Sequence, residues 1–321
     1  MSPEKEVQRH VVGVWCEHLI EVSSVMIPHA LLGATLAVVS NGLPVTLVLP
    51  GSETLGRPAG NPRLVQFRSH IDGDPSKNGY EVHRLQVKVA PGVSLDLPRL
   101  NPKDDKIAFD AMYAVVKATA PVAEKVFDDW TRIARWKHFN RWIGRPNLSP
   151  EGWRGRLHLS GSEELLLSTG STTFRTTGGM LTVDGWAATV RSMVAGETSP
   201  LSVDLVLDGQ WHLELGDVRR CIVDTAVGCE VYLRTKVLET IPAGKLGLRR
   251  HLERAPISTL RDKLFPDIIP FAKQTEWERI KGPLAELFEI RNALMHRGSI
   301  DIPVARCKVL CEGAATLLTL L

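Results

Sequence analysis

The stretch VRRCIVDTAVGCEVYLRTKVLETI, residues 218–241, decides how the C-terminal third of this chain folds. Ile222, Ala226, Cys229, Leu233 and Val237 recur every three or four residues, which puts them on one stripe of an α-helix. Val223, Val227 and Val231 widen that stripe to the breadth expected of a helix at the centre of a bundle. Asp217 stands at the N-cap position, where its carboxylate can accept from the first-turn amides. Upstream, LSVDLVLDGQWHLELGD reads as a helix ending near Gly216. Downstream, IPAGKLG breaks the pattern, and LERAPISTLRDKLF, WERIKGPLAELFEIRNALMHRG and VARCKVLCEGAATLLTLL supply more helix. Residues 201–321 therefore read as an all-α domain.

The first 200 residues have a different character. Asn41-Gly42 separates ATLAVVS from LPVTLVLP, a strong hairpin signal because both turn positions must tolerate positive φ. LVQFRS (64–69) and EVHRLQVKVA (81–90) are further strands, parted by the turn-rich DGDPSKNG. A helical pattern follows at about 104–143, which Pro121 is expected to divide into two helices. Val126, Phe127, Trp130, Ile133 and Ala134 form its core stripe. The continuation RWKHFNRWIG interleaves Trp136, Phe139 and Trp142 with basic residues; it reads as an amphipathic helix rather than as a stacking platform for nucleic acid. GRLHLSG and MLTVDGWAATVRS read as strands, with Asp184-Gly185 as a second hairpin turn. The expected class is α+β: a β-rich domain over 1–200 with a helical insertion, then a helical bundle over 201–321, the boundary lying near 195–202.

Composition narrows the function. The chain has 321 residues, 44% hydrophobic and 23% charged, which is ordinary for a globular protein of about two domains. Thirty-nine Lys and Arg against 36 Asp and Glu give a net charge of +3, excluding a histone-like polycation. No apolar run is long enough to span a membrane and the N-terminus lacks a secretory h-region, so the expectation is a cytoplasmic protein without a membrane partner. The five cysteines, Cys16, Cys221, Cys229, Cys307 and Cys311, include no CxxC pair and read as reduced core thiols. No metal or other cofactor is expected. The glycines of STGSTTFRTTGG match no phosphate-binding loop, and no GxSxG elbow occurs.

The residues that carry chemistry lie in LAELFEIRNALMHRG, residues 284–298. Leu284, Leu287 and Phe288 form an apolar stripe whose next member is Arg291. A guanidinium there must snorkel, pair with a carboxylate, or face a groove or partner subunit. Asn292 and His296 are four apart and share another face. His296 and Arg297 also suit the end of a helix that Gly298 stops, so spacing alone leaves capping and chemistry both open.

The run Arg291-Asn292-Ala293-Leu294-Met295-His296 resembles the Arg-x4-6-His motif of the HEPN superfamily in its RNxxxH form. Upstream, Gly216-Asp217, Arg219-Arg220 and Glu230 are similar to the opening helices of bacterial HEPN-like domains, and the resemblance covers about 120 of the 321 residues. It implies a helical bundle that dimerises and, in active members, cleaves RNA without a metal. Arg291, His296 and Asn292 would then be catalytic, with Glu230 or Asp224 supporting them. Lys245, Arg249, Arg250, Arg254 and Arg261 form a basic run that reads equally as an RNA track or as a solvated face, and Arg297 lies beside the motif. Two functions follow as expectations. One is an endoribonuclease, a regulated toxin or defence effector, whose N-terminal domain senses a regulatory partner or ligand. The other is a non-catalytic dimerisation module whose N-terminal domain binds a ligand.

Overall fold

The computed structural model describes residues 9–51, 64–67, 79–98, 105–140, 143, 153–160, 165–170, 179–298 and 301–321. The turn residues 72–78, the glycine-rich 171–178, Arg141, Trp142 and the N-terminal eight residues lie outside the described ones. The chain divides into two compact units, Met1–Thr198 and Ser199–Leu321.

The first unit is organised by β1 (Arg9–Pro28), a strand of 20 residues. The other strands are β2 (Thr35–Ser40), β3 (Leu43–Val48), β4 (Leu64–Phe67), β5 (Gly79–Val89), β6 (Ser94–Pro98), β7 (Trp153–Leu159), β8 (Leu165–Gly170) and β9 (Gly179–Met180). Their order is β2-β3-β5-β1-β7-β8, with β4 joined to β5 and both β6 and β9 joined to β1. Pairing is antiparallel except at β9, which runs parallel to β1 through Val25 and Met26. Asn41 (φ 51°) and Gly42 (φ 78°) turn β2 into β3 with both residues in the left-handed region that a two-residue hairpin demands.

Helix α1 (Lys106–His138) covers the sheet. It starts where Asp105 accepts from the amides of Ile107 and Ala108, and it ends at Phe139 in the left-handed conformation. Pro121 does not divide it. Proline removes one helical hydrogen bond, but Pro121 is solvent-facing, so the orphaned carbonyl can meet water. Val116, Val122, Ala123, Val126, Phe127 and Trp130 on either side are buried, and large core side chains contribute roughly 1.5–3 kcal/mol each. Helix α2 (Val183–Val194) replaces the strand and hairpin expected at MLTVDGWAATVRS. Thr182 caps it by accepting from the Gly185 amide at 3.1 Å, which makes Asp184-Gly185 a first helical turn. Gly185 also permits a close approach, since a Cβ there would lie 2.1 Å from His138 Cε1.

A buried polar contact ties β1 to α1. Thr119 Oγ1 donates to the carbonyls of Val115 and Val116, so it accepts from His18 Nε2–H at 2.9 Å. Burial pushes the His18 imidazole down from 6.5 to about 4, against the opposing influence of Glu17. The unfolded chain therefore binds a proton below pH 6.5 that the folded chain refuses until about pH 4. Stability from this residue is complete above pH 6.5 and falls as pH drops towards 4, by roughly 3 kcal/mol at about 1.4 kcal/mol per unit. Urea unfolding at pH 7 and pH 4 will show this loss in the native chain. The His18→Gln protein should lose less, and an equal loss in both would refute the assignment.

The second unit contains α3 (Leu201–Glu214), α4 (Val218–Glu239), α5 (Leu246–Glu253), α6 (Ile257–Thr259), α7 (Gln274–Arg297) and α8 (Val304–Leu317). Asp217 caps α4 by accepting from the Arg220 amide at 3.0 Å, and Gly216 (φ 78°) makes the preceding turn. The run LERAPISTLRDKLF is helical only in pieces, because Pro256 separates the end of α5 from α6. The core gathers Ile222, Cys229 and Leu233 of α4, Trp277, Leu284 and Leu287 of α7, and Leu310 and Leu317 of α8. Helices α3 and α4 approach closely at two glycines. A Cβ on Gly209 would sit 2.1 Å from Thr225 Oγ1, and one on Gly228 would sit 2.9 Å from the Ser202 carbonyl oxygen. Among the described residues, no helix is long and apolar enough to cross a membrane.

Candidate active site on helices α4 and α7

Helix α7 carries the RNxxxH residues through its last two turns and stops at Gly298, whose φ of 76° suits a left-handed C-cap. Leu284, Leu287 and Phe288 form its buried stripe. Arg291 follows them on the stripe, half-buried, and finds a carboxylate: its Nη2 lies 3.5 Å from Glu230 Oε2 on α4. Its Nη1 donates to Asn292 Oδ1 at 3.1 Å. The anomaly of a cation on an apolar stripe is thus met within the chain, without a partner subunit.

Glu230 serves two guanidiniums. Its Oε1 accepts from Arg234 Nη2 at 3.0 Å, one helical turn further along α4. Arg234 Nη1 in turn donates to the carbonyls of Leu252 and Glu253 at 2.9 and 2.6 Å. Those carbonyls belong to the end of α5, where the Leu252 carbonyl also accepts from the backbone amides of Arg254 and Ala255. The chain of contacts runs from α5 through Arg234 and Glu230 to Arg291, and fixes the rotamer of a long side chain that would otherwise be mobile. Arg234 was not singled out by sequence. Its spacing four residues after Glu230 was the available signal.

Asn292 and His296 are exposed on α7. Five residues at about 100° each place His296 some 140° around the helix from Arg291, so the two do not share a face within one chain. Asn292 and His296, four apart, do.

Two sequence assignments are corrected here. Asp224 is not beside the motif: its Oδ2 lies 3.6 Å from His212 Nε2 and 3.7 Å from Arg220 Nε. Burial raises the Asp224 carboxyl above its usual range, against the pull of His212 and Arg220. Arg249 is not part of a solvent-facing basic track. Its Nη1 donates to the carbonyls of Leu238 and Ile241, both at 2.9 Å, closing the C-terminal end of α4. Arg261 is engaged with Asp262 at 2.7 Å. Arg250, Arg254 and Arg297 are exposed, so the basic run is reduced to scattered members. Cys307 and Cys311 are buried core thiols. No cluster of metal-ligating side chains is present among the described residues.

Comparison of the chain with family models, curated proteins and solved structures returns no match.

Proposed function

We propose that the C-terminal unit is a HEPN-type endoribonuclease, metal-independent, acting as a cytoplasmic homodimer in the manner of a toxin or defence effector. The observation that carries this reading is the Glu230–Arg291 pair at 3.5 Å on the helix that also bears an exposed Asn292 and His296. The guanidinium of one chain and the solvent-open imidazole of its partner, brought together across a dimer groove, suit a phosphodiester. The 2′-hydroxyl attacks the adjacent phosphorus, the bond to O5′ breaks, and a 2′,3′-cyclic phosphate and a 5′-hydroxyl result. One imidazole accepts the 2′-hydroxyl proton and a second donates to O5′. Each chain offers one His296, so a two-fold dimer supplies the second. Arg291 provides a planar fork for the non-bridging oxygens. Asn292 orients Arg291, and Arg250, Arg254 and Arg297 remain as contacts to the RNA backbone. The β-rich unit takes the role of binding a regulatory partner or ligand.

The test is incubation of the purified chain with total RNA in EDTA. Cleavage is expected, with cyclic-phosphate ends, and the His296→Ala protein should be inactive while unfolding normally, since exposed substitutions usually cost within about 0.5 kcal/mol. Cleavage that needs Mg²⁺, or that survives His296→Ala, would replace this reading with the non-catalytic dimerisation module.

A further inference from the structure

Four of the five cysteines are buried in the C-terminal unit, Cys221 and Cys229 on α4, Cys307 and Cys311 on α8. Two of them meet across the helix pair. Cys221 Sγ and Cys311 Sγ are 3.3 Å apart, with the thiol of one donating to the sulfur of the other. The Thr225 hydroxyl lies 3.7 Å from Cys311 Sγ and gives the pair a polar neighbour. Gly209 of α3 closes over the same place, its missing side chain leaving room for Thr225. The sulfurs therefore sit at the junction of three helices, in contact but unbonded.

We propose that Cys221 and Cys311 form a modification site, a thiol pair that a peroxide-class oxidant converts into a disulfide joining α4 to α8. A disulfide needs an S–S distance of about 2.05 Å, so the sulfurs must close by a little over 1 Å, shared between two side chains. The chemistry balances in two steps. One deprotonated thiol attacks a peroxide oxygen; the O–O bond breaks, and a sulfenic acid forms as hydroxide leaves and takes up the released proton. The second thiol attacks the sulfenic sulfur, the S–S bond forms, the S–O bond breaks, and water departs with the second proton. Two thiols give up two electrons and one peroxide becomes two waters.

The surroundings set which oxidants can act. The hydrogen bond with Cys311 and burial hold the Cys221 thiol well above its ordinary range. Oxidation by peroxide also runs through the thiolate and is therefore slow here, but a small uncharged peroxide can reach a packed helix junction that excludes bulky disulfide reagents. The bridge would span residues 221 and 311, a long loop whose closure restricts the unfolded chain strongly. It would also fasten α8 to the helix that carries Glu230 and Arg234.

The experiment treats the full chain with hydrogen peroxide, alkylates remaining thiols after denaturation, and maps the peptides by mass. A Cys221–Cys311 cross-link lighter by two hydrogens is expected, with a rise in the unfolding midpoint on the order of 10 °C. Dithiothreitol should reverse both, and Cys311→Ala should abolish both. Five alkylated thiols after peroxide, or a bridge formed through Cys229 or Cys307 instead, would overturn the proposal. Both readings come from the native chain, so they hold even if a variant folds poorly.

Discussion

Gly228→Val will destabilise the C-terminal unit by more than about 3 kcal/mol. Overpacking typically costs 1–3 kcal/mol where neighbouring side chains can yield. At Gly228 the obstacle is backbone: a Cβ would stand 2.9 Å from the Ser202 carbonyl oxygen and equally close to Val206 Cγ2. Relief requires α3 and α4 to separate, which would loosen Val206 and Ile222, both fully buried in the core between them. Exchanging glycine for a better helix former recovers at most about 1 kcal/mol, too little to compensate. Gly209 faces α4 from the other helix, where a Cβ would meet Thr225 Oγ1 at 2.1 Å and the Cys221 carbonyl oxygen at 3.0 Å; Gly209→Ala adds only that one carbon and should cost less than the larger valine at Gly228. Gly247, in α5, has open space around its Cα, and Gly247→Ala should be neutral or stabilising. Denaturant unfolding of the three variants will rank them. A Gly228→Val protein as stable as the native chain would refute the close helix crossing.

If the C-terminal unit is the ribonuclease proposed above, Arg291→Lys will lower RNA cleavage by about a hundred- to a thousandfold, the usual consequence of losing one preorganised donor to a developing oxyanion. An ammonium keeps the charge but cannot present two parallel donors to a phosphate. Stability separates this from a packing effect. The Arg291–Glu230 pair is partly exposed on both sides, and such pairs contribute at most about 1 kcal/mol. A variant that loses activity a hundredfold while its unfolding midpoint scarcely moves has lost chemistry. Equal activity in the lysine protein would mean that Arg291 serves the bundle alone.

The parts of the fold written in local chemistry were legible. Asp217 and Gly216 mark the start of α4 because capping and positive φ are properties of one or two residues, and Asn41-Gly42 marks its hairpin for the same reason. The misread parts depend on distant neighbours. Residues 180–192 read as a strand-like run with a hairpin turn at Asp184-Gly185, yet Thr182 caps a helix whose Gly185 fits against His138, 47 positions earlier. Pro121 looks like a divider until the buried side chains before and after it are weighed against one missing hydrogen bond. At the candidate site, the spacing of Arg291, Asn292 and His296 was visible, but the choice of Glu230 over Asp224 was not. Asp224 and Glu230 lie six residues apart on α4, about 120° apart around the helix, and only packing decides which meets α7. Arg249 illustrates the converse: in sequence it belongs to a basic run, whereas in the fold it closes a helix end.

The 20-residue strand β1 has a consequence for synthesis. It is made well ahead of its partners: β5 closes one edge early, but on the other edge Trp15 waits for His158 on β7, 143 positions later, and Val25 waits for Gly179 on β9. At roughly 5–20 residues per second, the nascent chain leaves that edge of the central strand open for something like 7 to 30 s. Pairings so distant also slow folding after release. An open edge on a central strand is a site for wrong pairing until β7 arrives, and the C-terminal bundle has long-range pairings of its own, with α8 packing on α3 and α4.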